Sequence, residues 1–219
     1  MNKYEAYVIN LEDRKDRKEY MINEFKDTNL NLNFVEAIKE KPGWIGCLKS
    51  HLKIIEQAKK DKLDFVIVLE DDNVIIDKSN FNQNLEKILE YLKNNLDNWN
   101  IFNGGPILNK SSKCNKIIDY LDLKFYEISN TSMTNFIIYN KNIYNFFLKY
   151  NDLIKYKQKN TYKIDMIIFN YLNILSTYPI LCQQLNDNQS DIFNSIRNDM
   201  DELYNASNFN FKKIIQSAK

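Results

Sequence analysis

Histidine appears once in the 219 residues, at His51, and the chain has only four glycines, three prolines and three cysteines. Scarce glycine and proline exclude a loop-dominated or turn-rich all-β design, which needs those residues at its corners. The cysteines (Cys47, Cys114 and Cys182) are odd in number and lack paired or metal-ligand spacing. That excludes a disulfide framework and reads as reduced thiols of an intracellular protein. Long hydrophobic runs are missing as well: the strongest, Phe65 to Leu69, is strand-sized, and Met1 to Glu5 lacks the charged-then-apolar opening of a signal peptide. No transmembrane segment is expected, and the expected location is the cytoplasm. Nor does one sign of charge dominate. With 30 basic and 29 acidic residues the net charge is +1, which gives no global electrostatic case for nucleic acid or an anionic membrane as partner. Apolar residues (44%) and aromatics (13%) are plentiful, enough to fill one sizeable core in a single domain over 1–219.

Short apolar runs alternate with helical patterns through the first half. Tyr4 to Leu11 reads as a strand, about 13–26 as a charged helix, and 31–38 as a more exposed strand. Between Trp44 and Lys60, Leu48, Leu52, Ile55 and Ala58 recur at helical spacing. Phe65-Val66-Ile67-Val68-Leu69 is unbroken and β-branched, as in a central strand buried on both faces. A helix over 80–98, with Leu85, Ile88, Leu89 and Leu92 on one side, leads to a strand at 100–102 that ends in Asn103-Gly104-Gly105-Pro106. This alternation predicts an α/β fold with a central, mostly parallel sheet flanked by helices. Further on, 123–128 and 135–139 read as strands, 141–150 and 164–175 as helices, 151–163 as a loop, and 178–181 as a last short strand.

Glu70-Asp71-Asp72 comes directly after the buried strand. Alternation along an extended chain turns Glu70 and Asp72 one way and Asp71 the other. Paired carboxylates at the carboxyl end of a central strand sit where open α/β sheets bind ligands. Their oxygens suit Mn2+ or Mg2+, which share ligands with phosphate and water and neutralise charge on a departing diphosphate. An acidic turn capping the next helix explains the triplet alone equally well. Arg14 and Arg17, three apart after Asn10-Leu11, set a basic pair beside a helix N-terminus, suited to a nucleotide's phosphates or base. A solvated Arg/Asp cluster is the plainer alternative. Gly46-Cys47 and Ser50-His51 open the next helix with small residues; the Ser50 hydroxyl reads as a ligand contact and His51 as a packing or hydrogen-bonding residue. Asn103 and Gly104 either line a pocket or form a plain turn. Gln184 either orients a bound diphosphate or sugar or is a satisfied amide at a strand end.

These segments fall into ordered blocks. Asn10, Leu11, Arg14, Asp16 and Arg17 come after the first strand; Gly46, Cys47, Ser50 and His51 precede a helix; an apolar strand ends in Glu70-Asp71-Asp72. Thr134 then precedes the strand reaching Tyr139, Asp165 heads the apolar run to Phe169, and Pro179, Cys182 and Gln184 lie close before Ser190-Asp191. In this order, over roughly residues 4–192, the chain resembles glycosyltransferase family 25, which includes lipooligosaccharide and collagen galactosyltransferases. It departs from the family at Asn135-Phe136, where small residues are common, and in its short C-terminus.

The resemblance implies a single nucleotide-sugar-binding domain of the glycosyltransferase A type: a donor half (about 1–106), an acceptor half (about 107–195, with 151–163 as an acceptor-side loop) and a C-terminal tail (196–219). It implies inverting transfer of a hexose, with galactose expected, from a uridine diphosphate sugar to a hydroxyl of a glycan, a lipid-linked saccharide or a protein, with Mn2+ or Mg2+. On that reading Asp72 ligates the metal directly, Glu70 assists through water or contacts the sugar or ribose, and Asp71 holds the sugar or the loop. Asn10, Leu11, Arg14, Arg17, Ser50, Asn103, Gly104 and Gln184 complete the donor site. Asp165 is the general base that takes the acceptor proton, with a helix N-cap as its plainer role. Two other readings share these residues: a non-catalytic nucleotide-sugar-binding module, and a metal-dependent phosphohydrolase or nucleotidyltransferase, which usually needs more carboxylates for two ions. The acceptor, the choice between galactose and glucose, and the oligomeric state are fixed by no motif.

Overall fold

Val66 and Val68 leave one face of β3 (Phe65–Glu70) and Ile67 and Leu69 the other, and all four are buried. A strand so built must lie between two layers. The computed structural model describes residues 3–154, 164, 172–186, 188–190 and 195–217. Within them β3 is third in an eight-stranded sheet. Its neighbour β1 (Tyr4–Asn10) pairs in parallel with it and with the edge strand β2 (Leu30–Glu36). On its other side lies β8 (Phe136–Asn140), antiparallel to β3 and to β5 (Ile101–Asn103). Next to β5 comes the parallel β9 (Ile174–Thr177), and then antiparallel β7 (Leu123–Ser132) and β6 (Ile107–Tyr120). Six strands therefore run one way and β7 and β8 the other. The sheet is mixed, with a wholly parallel corner at β2-β1-β3.

Helices cover both faces. Against the Val66/Val68 side pack α2 (Gly43–Lys60), α4 (Tyr144–Ile154) and α5 (Met200–Ser217), through buried Leu48, Leu52, Ile55, Phe147, Tyr204 and Phe211. Against the Ile67/Leu69 side pack α1 (Lys15–Phe25) and α3 (Phe81–Asn94), through Met21, Phe25, Leu85, Ile88, Leu89 and Leu92. Two antiparallel ribbons complete the fold. One joins β4 (Asn73–Ile75) to β10 (Cys182–Gln184), and the other joins β11 (Asn188–Ser190) to β12 (Ser195–Arg197).

Three expectations change. The tail expected at 196–219 holds α5, because Met200, Tyr204, Ser207 and Phe211 recur at helical spacing and bury against β6 and β7. The helix expected over 164–175 gives way at its end to β9, whose Ile174 and Leu175 fill the sheet beside β5 and β7. Residues 165–171 lie outside the described residues. The strand expected last, at 178–181, is instead β10, displaced to Cys182–Gln184 by its pairing with β4, and the β11–β12 ribbon follows it. β6 has no counterpart among the expected strands: beyond Ile107 and Leu108 it is a largely exposed polar ribbon without an apolar alternation to mark it.

Candidate functional site

The three strands of the parallel corner end at one edge, and the turns and crossings that leave them there build the site. After β1 a turn closed by the Arg14 amide on the Leu11 carbonyl (2.9 Å) starts α1 and brings Arg17 back over the strand ends. After β2, residues 37–42 cross to the start of α2. Ser50 fastens this crossing: its hydroxyl donates to the Gly46 carbonyl (2.7 Å) and accepts from the Ile38 amide (2.8 Å). A Cβ at Gly46 would fall on the Ile38 carbonyl oxygen, which explains glycine here. After β3, Glu70 keeps the strand's parity and faces α2. Asp71 and Asp72 then lie in a turn, where alternation no longer holds.

Arg17, itself buried, consequently reaches both aspartates. Its Nη1 is 2.6 Å from Asp71 Oδ1 and 3.6 Å from Asp72 Oδ2, so Asp71 is not turned away as alternation predicts. The second oxygen of Asp71 accepts from the Asn10 amide at 2.7 Å. Asp72 Oδ2 accepts from Gln184 Nε2 at 2.7 Å, and the Asp72 carbonyl accepts from the Leu185 amide. These bonds extend the β4–β10 ribbon up to the triplet. Asp72 Oδ1 is buried without a hydrogen-bond partner among the described residues. Burial, followed by the nearby Glu70 charge, pushes the Asp72 carboxyl up to about 7. Burial likewise raises that of Asp71, against the pull of Arg17 and Asn10. For Glu70 burial pushes upward too, but His51, the Thr134 hydroxyl and Arg17 outweigh it and hold the carboxyl below its ordinary value. Thr134 Oγ1 donates to Glu70 Oε1 at 2.6 Å, whereas His51 Nε2 stands 3.8 Å away, beyond hydrogen-bond reach.

Glu70, Asp71, Asp72, Arg17, Gln184, Leu11 and Ser50 line one cleft of about 1190 Å3, with residues 37–43 along its side. That exceeds the roughly 300–1,000 Å3 of ordinary small-ligand sites. Other expected site residues lie elsewhere. Arg14 is paired to Asp16 by two hydrogen bonds of 3.0 and 3.1 Å and does not line the cleft. Asn103 is fully buried, donating to the Met133 carbonyl and accepting from the Gly105 amide, and Gly104 packs on the Phe136 ring. Both serve the turn. Asp165 lies outside the described residues.

The structure also brings to the site residues to which the sequence assigned no ligand role. Thr134 touches Glu70 as described, and Asn135 and Asn73 clamp the triplet's turn through their side chains (2.9 Å) and through the Asn135 carbonyl, which accepts from the Glu70 amide. Tyr204 of α5 accepts from the Gln184 amide and donates to the Gly105 carbonyl, each at 3.2 Å. Cys47 and His51 reach Glu70 across the cleft wall: one potential metal-ligand atom from each lies within 4.8 Å of the others. Among the described residues no helix is long and apolar enough to cross a membrane.

Residues 3–44, which contain β1, α1, β2 and the crossing to α2, match the model of glycosyltransferase family 25, described as LPS biosynthesis protein. The family resemblance carried by Asn10, Leu11, Arg14, Asp16 and Arg17 is thus met within that stretch. No curated protein matches the sequence. Among solved structures, A197 from STIV is 8% identical with a TM-score of 0.48, covering 85% of this chain and 87% of that one. A Bacillus anthracis protein assigned as a glucose-1-phosphate thymidylyltransferase, solved with a sucrose, is 11% identical with a TM-score of 0.40, covering 81% and 69%. Neither likeness bears on activity.

Proposed function

We propose that this chain is a cytoplasmic glycosyltransferase of the A type, moving a hexose, with galactose expected, from a uridine diphosphate sugar to a hydroxyl of a glycan, a lipid-linked saccharide or a protein, with inversion. The observation that carries the reading is Asp72, whose Oδ2 is held by Gln184 while Oδ1 has no hydrogen-bond partner among the described residues. Once the carboxyl gives up its proton, an oxygen so placed fits a hard divalent cation, manganese or magnesium. Asp72 is the direct ligand on this reading, and Glu70 assists through water or meets the sugar or ribose. When bound, the ion supplies Lewis-acid neutralisation of the departing diphosphate.

The chain's own residues divide the rest. Asp71, already engaged by Asn10 and Arg17, holds the turn that presents Asp72. Gln184 sets the Asp72 carboxylate plane. Leu11 and the crossing at 37–43, fastened by Ser50, form the wall for the nucleotide. Arg14 stands outside that wall, at the start of α1, where it meets phosphate on the approach. Asn103 and Gly104 shape the turn after β5 rather than the cleft itself. Asp165 takes the acceptor proton, as direct displacement with inversion requires a base.

Release of uridine diphosphate is measured from several donor sugars, with and without manganese. Release that depends on metal and collapses in Asp72→Ala is expected. Release indifferent to both removes the reading, and donor binding without turnover across acceptors assigns the chain as a binding module instead.

A further inference from the structure

Cys47 and His51 are four residues apart on α2, hence on one face of it, and Glu70 leaves β3 on the side that faces α2. Three different donor atoms, sulfur, nitrogen and oxygen, thus meet from two elements. His51 is fully buried, and its Nε2 has no hydrogen-bond partner among the described residues. Its other nitrogen, Nδ1, is 2.9 Å from the Tyr139 hydroxyl. With the Nδ1 hydrogen donated to that hydroxyl, the tautomer a bound cation requires, Nε2 turns a bare lone pair toward Glu70, 3.8 Å away; the other tautomer points its Nε2–H there instead. A buried imidazole nitrogen facing a carboxylate without bonding it is unusual packing. A cation between the two removes the anomaly.

We infer that Cys47, His51 and Glu70 form a binding site for a borderline-soft divalent cation of the zinc class, beside the hard-cation position at Asp72. Ligand atoms around tetrahedral zinc sit about 3.3–3.8 Å apart, given metal–ligand distances of roughly 2.0–2.3 Å. The His51–Glu70 pair already has that spacing, and the whole set lies within 4.8 Å. Thiolate with imidazole selects zinc or cobalt over magnesium and manganese. Tyr139 supplies the outer hydrogen bond that fixes the ring of a metal-bound histidine, and Thr134 does the same for Glu70. All three ligands line the cleft, which leaves a further coordination position facing it.

Cation binding at this position shares Glu70 with the transferase reading but needs none of its chemistry, and its test needs no turnover. The full chain, stripped with a chelator, is titrated with Co2+ and followed in the near-ultraviolet and visible. A sulfur-to-cobalt charge-transfer band that saturates at one equivalent and is bleached by Zn2+ is expected. Cys47→Ala loses the band while keeping the wild-type circular dichroism, and Tyr139→Phe weakens cobalt affinity about tenfold. Asp72→Asn keeps the band, even though the same change abolishes transfer on the proposed reading. Binding without the band, a band that survives Cys47→Ala, or no stoichiometric binding overturns the site.

Discussion

Arg17 and Asp71 lie 54 residues apart in the chain and meet at 2.6 Å in the protein, both nearly sealed from solvent. The pair ties the start of α1 to the end of β3, the join at which the parallel corner opens into the cleft. Removing one partner of a buried ion pair leaves an uncompensated charge and costs about 3–5 kcal/mol. Arg17→Ala is accordingly expected to lower the urea midpoint of unfolding by that equivalent, with Asp71→Asn milder because the amide still accepts from Arg17. A loss under about 1 kcal/mol in Arg17→Ala would show that the pair contributes no more than a surface one.

Metal-free protein should lose stability as pH rises from about 4.5 to 7. Asp72 has a folded value of about 7 against an ordinary 3.8, so in that window the native state holds the proton that the unfolded chain has released. Native protein then binds more protons, and stability falls with pH, by at most about 4 kcal/mol from this group. Asp71 acts with the same sign, while Glu70, held low, acts below its ordinary 4.5 and in the opposite sense. Asp72→Asn should flatten the slope in chemical denaturation across that window. An unchanged slope would assign it to other groups.

Gly46 and Ser50 fix the crossing from β2 to α2. Gly46→Ala drives a methyl into the Ile38 carbonyl and should cost about 1–3 kcal/mol, as overpacking does. Ser50→Ala strands the Ile38 amide and should cost about 1–3 kcal/mol. In both variants hydrogen exchange at the Ile38 amide is expected to accelerate well before that of β1. Protection equal to wild type would mean that the crossing is held by other contacts.

Tyr204→Phe removes a hydroxyl that bridges Gln184 and Gly105. About 1–2 kcal/mol of stability should go with it, as one buried bond is lost at each end. Donor affinity should fall as well, because Gln184 then orients Asp72 less firmly. Calorimetry with uridine diphosphate and manganese reads this; identical affinity would uncouple α5 from the site.

Much of the first half is legible in sequence because its physics is local. Val66 to Leu69 announces a strand buried on both faces by being apolar throughout, and Leu85, Ile88, Leu89 and Leu92 announce α3 by period. β6 carries no such signal, since most of its side chains face water and its place comes from pairing with β7. α5 does carry one, in Met200, Tyr204, Ser207 and Phe211, diluted by the polar residues between them. At the site, Glu70 obeys strand alternation and Asp71 and Asp72 escape it, because a turn begins between them. Cys47 and His51 carry a two-residue ligand spacing, four apart on one helix face, but Glu70 comes from a distant strand and no spacing along the chain joins it to them.

The bond from Gln184 to Asp72 spans 112 residues. On a ribosome adding about 5–20 residues per second, Asp72 waits roughly 6–22 s for its amide partner. During that interval the first strands and their helices can collapse around a carboxylate that Arg17, 3.6 Å away, reaches but no amide yet fixes. A growing chain therefore displays the acidic triplet before β10 arrives to complete the ribbon with β4 and to fix Asp72 through Gln184.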